Sequence, residues 1–231
     1  MPKYFLDNIE GQIIDPGSEI THHLKNVLRT RVGEKIILCD GKENDYLCTV
    51  DSLEPFLLRL ENMQRCCTEP PCKITLYQAL VKSDKFEWII QKSVELGVHS
   101  IVPVLTEYSI RKNTKAERFQ KIAESAAGQS MRGIIPQIYP QMPWKDALCS
   151  AKGYIIAAHI SCSRHSIKQA FEGHIPNEIN LWIGPEGGFS KSEVENMKKA
   201  GFNFVSLGSR ILRAETAAIT ALAQILMVTE L

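Results

Sequence analysis

The chain has 231 residues, and its 27 Lys plus Arg against 26 Asp plus Glu leave a net charge of +1 with histidine neutral. With 44% hydrophobic and 23% charged residues, it is neither a mainly disordered chain nor a blanket polycation. Met1-Pro2-Lys3-Tyr4-Phe5-Leu6-Asp7 lacks the apolar core of a signal peptide, and no apolar run approaches the ~20 residues that span a bilayer, so a cytoplasmic protein without a membrane partner is expected.

From Lys3 to Cys67, short β-like segments surround one helix. Ser18 to Arg29 carries a helical stripe through Ile20, Leu24, Val27 and Leu28. Lys35 to Cys39 reads as a strand, Asp40-Gly41-Lys42 as a turn, Tyr46 to Val50 as the hairpin partner, and Phe56 to Leu60 as a third strand after Pro55. The pattern suggests a small β-rich module, a candidate barrel. Cys66-Cys67-Thr68-Glu69-Pro70-Pro71-Cys72 then breaks it, because consecutive prolines disfavour both helix and central strand. A boundary there gives domains of residues 1–70 and 73–231.

Beyond it, strand and helix alternate, which predicts an α/β domain with a parallel sheet. The strand candidates are Ile74 to Val81, Ser100 to Leu105, Tyr154 to Ala158, Asn180 to Ile183 and Phe204 to Leu207, with a shorter one near Ile135 to Tyr139. Asp84 with Glu87 resembles a capping box, and Gly97 stands where a glycine would stop that helix. Ser190 with Glu193 repeats the device, and Gly201 ends the Lys191 to Ala200 helix. The last helix, from about Ala217 to Val228, is apolar on nearly every face and is expected to be buried all round, within the domain or against another subunit.

Seven cysteines show no repeated CxxC pair with histidine at ligand spacing, so reduced thiols and no metal are expected. The charge balance hides a polarity. Residues 1–72 hold 8 basic and 12 acidic groups, net −4, whereas residues 73–231 hold 19 and 14, net +5. Between Ser109 and Arg132, six cations face only Glu117 and Glu124, a local field that suits RNA.

Two loops directly follow apolar strands of the second domain, where open α/β sheets collect ligands. Gly184-Pro185-Glu186-Gly187-Gly188-Phe189-Ser190 removes Cβ atoms where backbone meets a ligand or takes positive φ, yet a tight strand-to-helix turn explains it as well. It lacks the Lys-Ser/Thr ending of a phosphate loop and the spacing of a dinucleotide fingerprint. Leu207-Gly208-Ser209-Arg210-Ile211-Leu212-Arg213-Ala214-Glu215-Thr216 places two arginines around two aliphatics, apolar contact for a flat ring beside cationic groups for an anion. Glu215 and Thr216 at the helix start also read as helix-end stabilisation.

Together, Ile183 to Ser190 and Leu207 to Ala218 closely resemble the RsmE-type ribosomal RNA uridine-N3 methyltransferases of the SPOUT superfamily. Gln91-Lys92-Ser93-Val94-Glu95-Leu96-Gly97-Val98 resembles that family's QK-x-x-ELGV segment, Gln129-Ser130-Met131-Arg132 its QS-x-R motif, and His22 to Arg29 with Gly33 its HHL-x-x-VLR block. Departures are Lys3 where arginine is frequent, Gly128 where an acidic residue is common, and Met131 where glycine is common.

The resemblance implies a trefoil-knotted SPOUT methyltransferase domain after a PUA-like RNA-binding β-barrel, with S-adenosylmethionine as cofactor and S-adenosylhomocysteine as product. It implies cofactor contacts from His159 and Ile160, from Gly184, Pro185, Glu186, Gly187 and Gly188, and from Leu207, Gly208, Ile211 and Leu212. The reaction would methylate N3 of a uridine in 16S rRNA, free or within the small ribosomal subunit. N3 is protonated at neutral pH, so the site needs a proton acceptor and cations for the carbonyl oxygens. Arg132, Arg210 and Arg213 are the candidate anchors of base or phosphate, and Glu186 or Glu215 the candidate acceptor. His22, His23, Lys25, Arg29 and Arg31, with Arg111 and Lys112, are the candidate RNA contacts. A homodimer through the knotted domain and last helix is expected. The competing readings are a non-catalytic RNA-binding ribosome-assembly factor and a SPOUT methyltransferase acting on another RNA site, the latter disfavoured by the QS-x-R and HHL-x-x-VLR blocks.

Overall fold

The computed structural model describes residues 1–110, 116–160, 165–171 and 175–230. The chain divides into two units, Met1–Glu69 with Ala127–Ile135, and Pro70–Ala126 with Pro136–Leu231.

In the first unit, β1 (Lys3–Phe5), β2 (Ile13–Ile14), β3 (Lys35–Cys39), β4 (Asn44–Leu53) and β5 (Phe56–Arg65) form one sheet in the order β1-β3-β4-β5-β2. Only β1 and β3 run parallel; the other pairs are antiparallel. Where the sequence suggested a barrel, the described strands leave β1 and β2 as edges of this path. One face buries Ile36, Leu38, Cys48, Val50 and Leu58 beneath Leu24. Burial pushes the Cys39 and Cys48 thiols up to about 11, as suits reduced core residues.

The expected helix from Ser18 to Arg29 is shorter and wider. The α-helix α1 (Gly17–His22) passes into a π-helical segment, His23–Val27, where the Leu28 amide donates to the His23 carbonyl at 3.0 Å. Thr30 closes it by donating both its amide and its hydroxyl to the Leu24 carbonyl, and Arg29 turns the chain with φ 54°. A wider turn keeps Leu24 in the core while these bonds are made.

Residues 127–135, assigned from sequence to the second domain, cluster with the first unit. Lys3 is buried, pairs with Asp45 at 2.5 Å and donates to the Met131 carbonyl at 3.3 Å. The Glu43 amide donates to the Gly133 carbonyl at 3.0 Å. A Cβ at position 128 would stand 2.8 Å from the Lys3 carbonyl oxygen, which accounts for glycine where the resembling family commonly has an acidic side chain.

The second unit holds a parallel sheet of β6 (Lys73–Ala79), β7 (Ser100–Leu105), β8 (Gln137–Ile138), β10 (Tyr154–Ala158), β11 (Glu178–Ile183) and β12 (Asn203–Val205), in the order β12-β10-β11-β6-β7-β8. The short β9 (Met142–Pro143), not anticipated, pairs with β7. Around the sheet are α2 (Ser83–Glu95), α3 (Ala116–Gln129), α4 (Trp144–Ser150), α5 (Ile167–Ala170), α6 (Lys191–Lys199) and α7 (Ala214–Thr229). Tyr77 stacks on the fully buried Trp182 with ring centroids 4.5 Å apart, and Trp144, Phe189 and Phe202 complete an aromatic core.

The Ser190–Glu193 capping box is present, and Gly201 follows α6 with φ 78°. The Asp84–Glu87 box is not: the N-cap is Lys82, because α2 begins at Ser83, two residues before the start that box requires. The last helix is buried within the chain along one side only, which leaves its other side to the second cover expected from sequence, another subunit. Ala214, Ala218, Ala221, Leu222 and Ile225 are buried, a single stripe, while Met227 is 59% exposed. Among the described residues, no three His, Cys, Asp or Glu side chains converge as a metal site, and no helix is long and apolar enough to cross a membrane.

Candidate active site

Because β12, β10 and β11 are parallel neighbours, the loops leaving their carboxyl ends emerge side by side. They surround a cavity of about 560 Å³. From β10 come His159 and Ile160; from β11, Gly184, Pro185, Glu186, Gly187 and Gly188; from β12, Leu207, Gly208, Arg210, Ile211, Leu212 and Arg213. All the residues singled out from sequence for cofactor contact therefore share one cavity, as do Glu186, Arg210 and Arg213 among the candidate catalytic groups. Its size falls in the ~300–1,000 Å³ range of small-molecule sites.

Local bonds hold each loop. The His159 amide donates to the Val205 carbonyl at 3.1 Å, tying the first loop to the third. The Gly188 amide closes a turn on the Pro185 carbonyl at 2.8 Å, and φ of 73° at Gly188 favours glycine. Phe189 anchors this loop in the aromatic core. In the third loop the Gly208 amide donates to Ser206 Oγ at 3.3 Å. Ile211 is 80% exposed and Ile160 69%, two aliphatics at one cavity with no protein cover, which fits a ligand that presents an apolar face. Burial, followed by the charge of Lys198, lowers the pKa of His159 below its ordinary value.

One charged residue beside the cavity loops carried no signal in the sequence. Lys85, in the first turn of α2, lies 3.3 Å from Glu186 Oε1 and 3.5 Å from Glu215 Oε1. It joins the β11 loop to the first turn of α7. The hydrogen bond that it donates to Glu186 and the charges of Glu215 and Glu186 raise its pKa. An isolated lysine on an amphipathic helix reads as a solvated charge, so its spacing carried no signal. Glu215 Oε2 is buried and takes no hydrogen bond among the described residues.

Arg132 is elsewhere. It lies in the first unit, 3% exposed, with Nε 3.2 Å from both carboxylate oxygens of Glu69 and Nη2 bonded to Oε2. It does not line the cavity. The candidate RNA contacts His22, His23, Lys25, Arg29 and Arg31 are exposed on the first unit; Tyr4 Oη bonds His23 Nδ1 at 2.6 Å and Lys25 pairs with Glu54 at 2.9 Å. Arg111 and Lys112 lie outside the described residues.

Comparison with known proteins bears on this geometry. An RNA methyltransferase domain matches residues 68–226, and an RNA methyltransferase PUA domain matches residues 16–56. The chain is 33% identical to ribosomal RNA small subunit methyltransferase E of Bacillus subtilis, over 100% of this chain and 98% of that protein. It is 37% identical to the protein of the same name from Mesomycoplasma hyopneumoniae, over 95% and 96%. Among solved structures, the Neisseria gonorrhoeae ribosomal RNA small subunit methyltransferase E bound to S-adenosyl methionine superposes with a TM-score of 0.91, at 33% identity, over 99% of this chain and 98% of that one.

Proposed function

The chain belongs to the ribosomal RNA small subunit methyltransferase E family, and on that premise we propose that it methylates N3 of a uridine in 16S rRNA. It is an S-adenosylmethionine-dependent ribosomal RNA methyltransferase. The observation that carries the finer reading is the convergence of three loops on one cavity that sets glycine and aliphatic side chains beside Glu186, Arg210 and Arg213.

S-adenosylmethionine, when bound, supplies a methyl group on a sulfonium, open to in-line attack. Ile160, Ile211 and Leu212 offer apolar cover for a flat ring, while Gly184 and Gly188 leave the backbone open to close approach. Holding donor and acceptor at near-attack distance supplies much of the rate. Arg210 and Arg213 offset the negative charge that grows on the uracil carbonyl oxygens as N3 loses its proton. Of the two glutamates, Glu186 lines the cavity while Glu215 does not, and Glu186 is the better placed acceptor for that proton. Lys85 orients Glu186 and Glu215. Arg132, engaged by Glu69, holds the loop at residues 127–135.

In this reading the exposed cations of the PUA-like first unit, His22, His23, Lys25, Arg29 and Arg31, meet RNA phosphates. The uncovered apolar side of α7 supports a homodimer, which sedimentation of the purified protein checks; a monomer at micromolar concentration would overturn it. A trefoil knot in the second unit is supported by the family membership. The enzyme acts in the cytoplasm on rRNA or on the small subunit.

The test is to treat 16S rRNA from cells lacking the protein with purified protein and S-adenosylmethionine, then digest it for mass spectrometry. N3-methyluridine is the expected product, and its absence sinks the reading. A folded protein giving no calorimetric heat with S-adenosylmethionine would favour the non-catalytic assembly factor.

A further inference from the structure

A second loop stands beside the cavity without lining it. β7 lies next to β6, which pairs with β11, so the segment after β7 leaves the sheet at the same end as the Gly184–Gly188 turn. That segment is tightly bonded. Thr106 is buried and its Oγ1 lies 2.7 Å from Ser109 Oγ; Ser109 Oγ also accepts from the Thr106 amide at 3.1 Å. The Glu107 amide donates to Glu193 Oε1 at 2.8 Å, and the Ile110 amide to the Leu80 carbonyl at 3.3 Å.

At the tip of this braced turn is Tyr108, 52% exposed. Its ring lies against Gly187, where a Cβ would stand 3.1 Å from Tyr108 Cβ and 3.4 Å from Cγ and Cδ2. Glycine at 187 is what lets the ring sit this close. Among the described residues nothing hydrogen-bonds the phenol hydroxyl. The ring is thus fixed at its base, open to solvent, and at the rim of the cavity rather than in it, so it is placed for the second substrate and not for the cofactor.

Given the methyltransferase reading above, on which this rests, we propose that Tyr108 is a stacking platform for the uracil ring of the target nucleotide. A flat base brought to the methyl group needs a surface parallel to its π-face, and an aromatic ring with only two side-chain torsions provides one with little ordering entropy. Stacking exposes the N3 edge while leaving Arg210 and Arg213 free for the carbonyl oxygens.

The experiment compares Tyr108→Phe, Tyr108→Leu and Tyr108→Ala with wild type, measuring S-adenosylmethionine Kd by calorimetry and KM for unmodified 16S rRNA. All three should keep the cofactor Kd within about twofold, because the ring lies outside the cavity wall. Tyr108→Phe should keep its KM for RNA, whereas Tyr108→Leu and Tyr108→Ala should raise it about tenfold or more, as loss of one base–aromatic stack does. An unchanged KM for RNA in Tyr108→Leu and Tyr108→Ala overturns the proposal. So does a parallel loss of cofactor affinity in Tyr108→Ala that Tyr108→Leu restores, since the ring would then only prop the Gly187 turn. If wild type yields no N3-methyluridine, the functional reading fails by itself, and filter-binding of the same RNA to wild type and Tyr108→Ala still decides whether the ring is a platform.

Discussion

Replacing Arg132 by alanine separates a structural arginine from a catalytic one. The guanidinium is almost wholly buried and meets both oxygens of Glu69, which also accepts the Gly133 and Ile134 amides at 3.0 and 3.3 Å. Removing the cation leaves a largely buried carboxylate with two amide donors. Breaking a buried pair costs about 3–5 kcal/mol, and the retained amide bonds put Arg132→Ala at the lower end, about 3 kcal/mol. At ~2–4 °C per kcal/mol for a chain of this length, the melting midpoint should fall by roughly 6–12 °C. The double variant Arg132→Met with Glu69→Leu removes the acceptor of the Gly133 and Ile134 amides as well as the charge pair, so it should recover no more than part of the loss. Cofactor Kd should stay within about twofold, since the cavity lining is drawn from the other unit. A midpoint within ~2 °C of wild type, with methylation abolished, would refute this reasoning and return Arg132 to the reacting centre.

Two further outcomes follow from the cavity loops. At Gly188 a Cβ meets nothing within 4 Å, so Gly188→Ala tests backbone conformation alone: φ of 73° costs alanine about 1–2 kcal/mol, and S-adenosylmethionine affinity should fall about tenfold by calorimetry, with unchanged affinity counting against a rigid turn. The lowered pKa of His159 means that the folded chain binds fewer protons there than the unfolded one. Its contribution to stability is present above about pH 6.5 and lost as pH falls toward the lower folded value, so thermal midpoints from pH 7.5 to 5.5 should decline less steeply in His159→Gln; equal slopes would exclude the histidine as the source.

Much of the second unit was legible because its strands are continuous apolar runs bounded by turn residues: Ser100 to Leu105 and Tyr154 to Ala158 have the bounds the sequence suggested. The cavity loops were legible for the same reason, lying where such strands end. Partnerships across the chain were not. The QS-x-R motif shows an arginine but not that Glu69, 63 positions earlier, engages it. Lys85 looked solvated until Glu186 and Glu215, both distant in sequence, were brought to it. For α7, composition reported apolar faces without telling which meet the chain's own core: Ala218 and Leu222 do, Met227 does not. At Asp84 the side-chain spacing of a capping box was present, but the backbone began the helix at Ser83, leaving the pair inside the first turns.

The first unit is completed by residues 127–135, and that has a consequence for synthesis. A ribosome that has released residues 1–69 has supplied five strands but not the Gly133 carbonyl that Glu43 and Cys39 bond, nor the Met131 carbonyl that Lys3 reaches. At ~5–20 residues per second, the nascent sheet waits several seconds for the rest, with β6, α2 and β7 already emerging. Cutting the gene after codon 69 would likewise yield a sheet with the Lys3–Asp45 pair uncovered, so an independent RNA-binding fragment has to carry the second segment spliced onto the first.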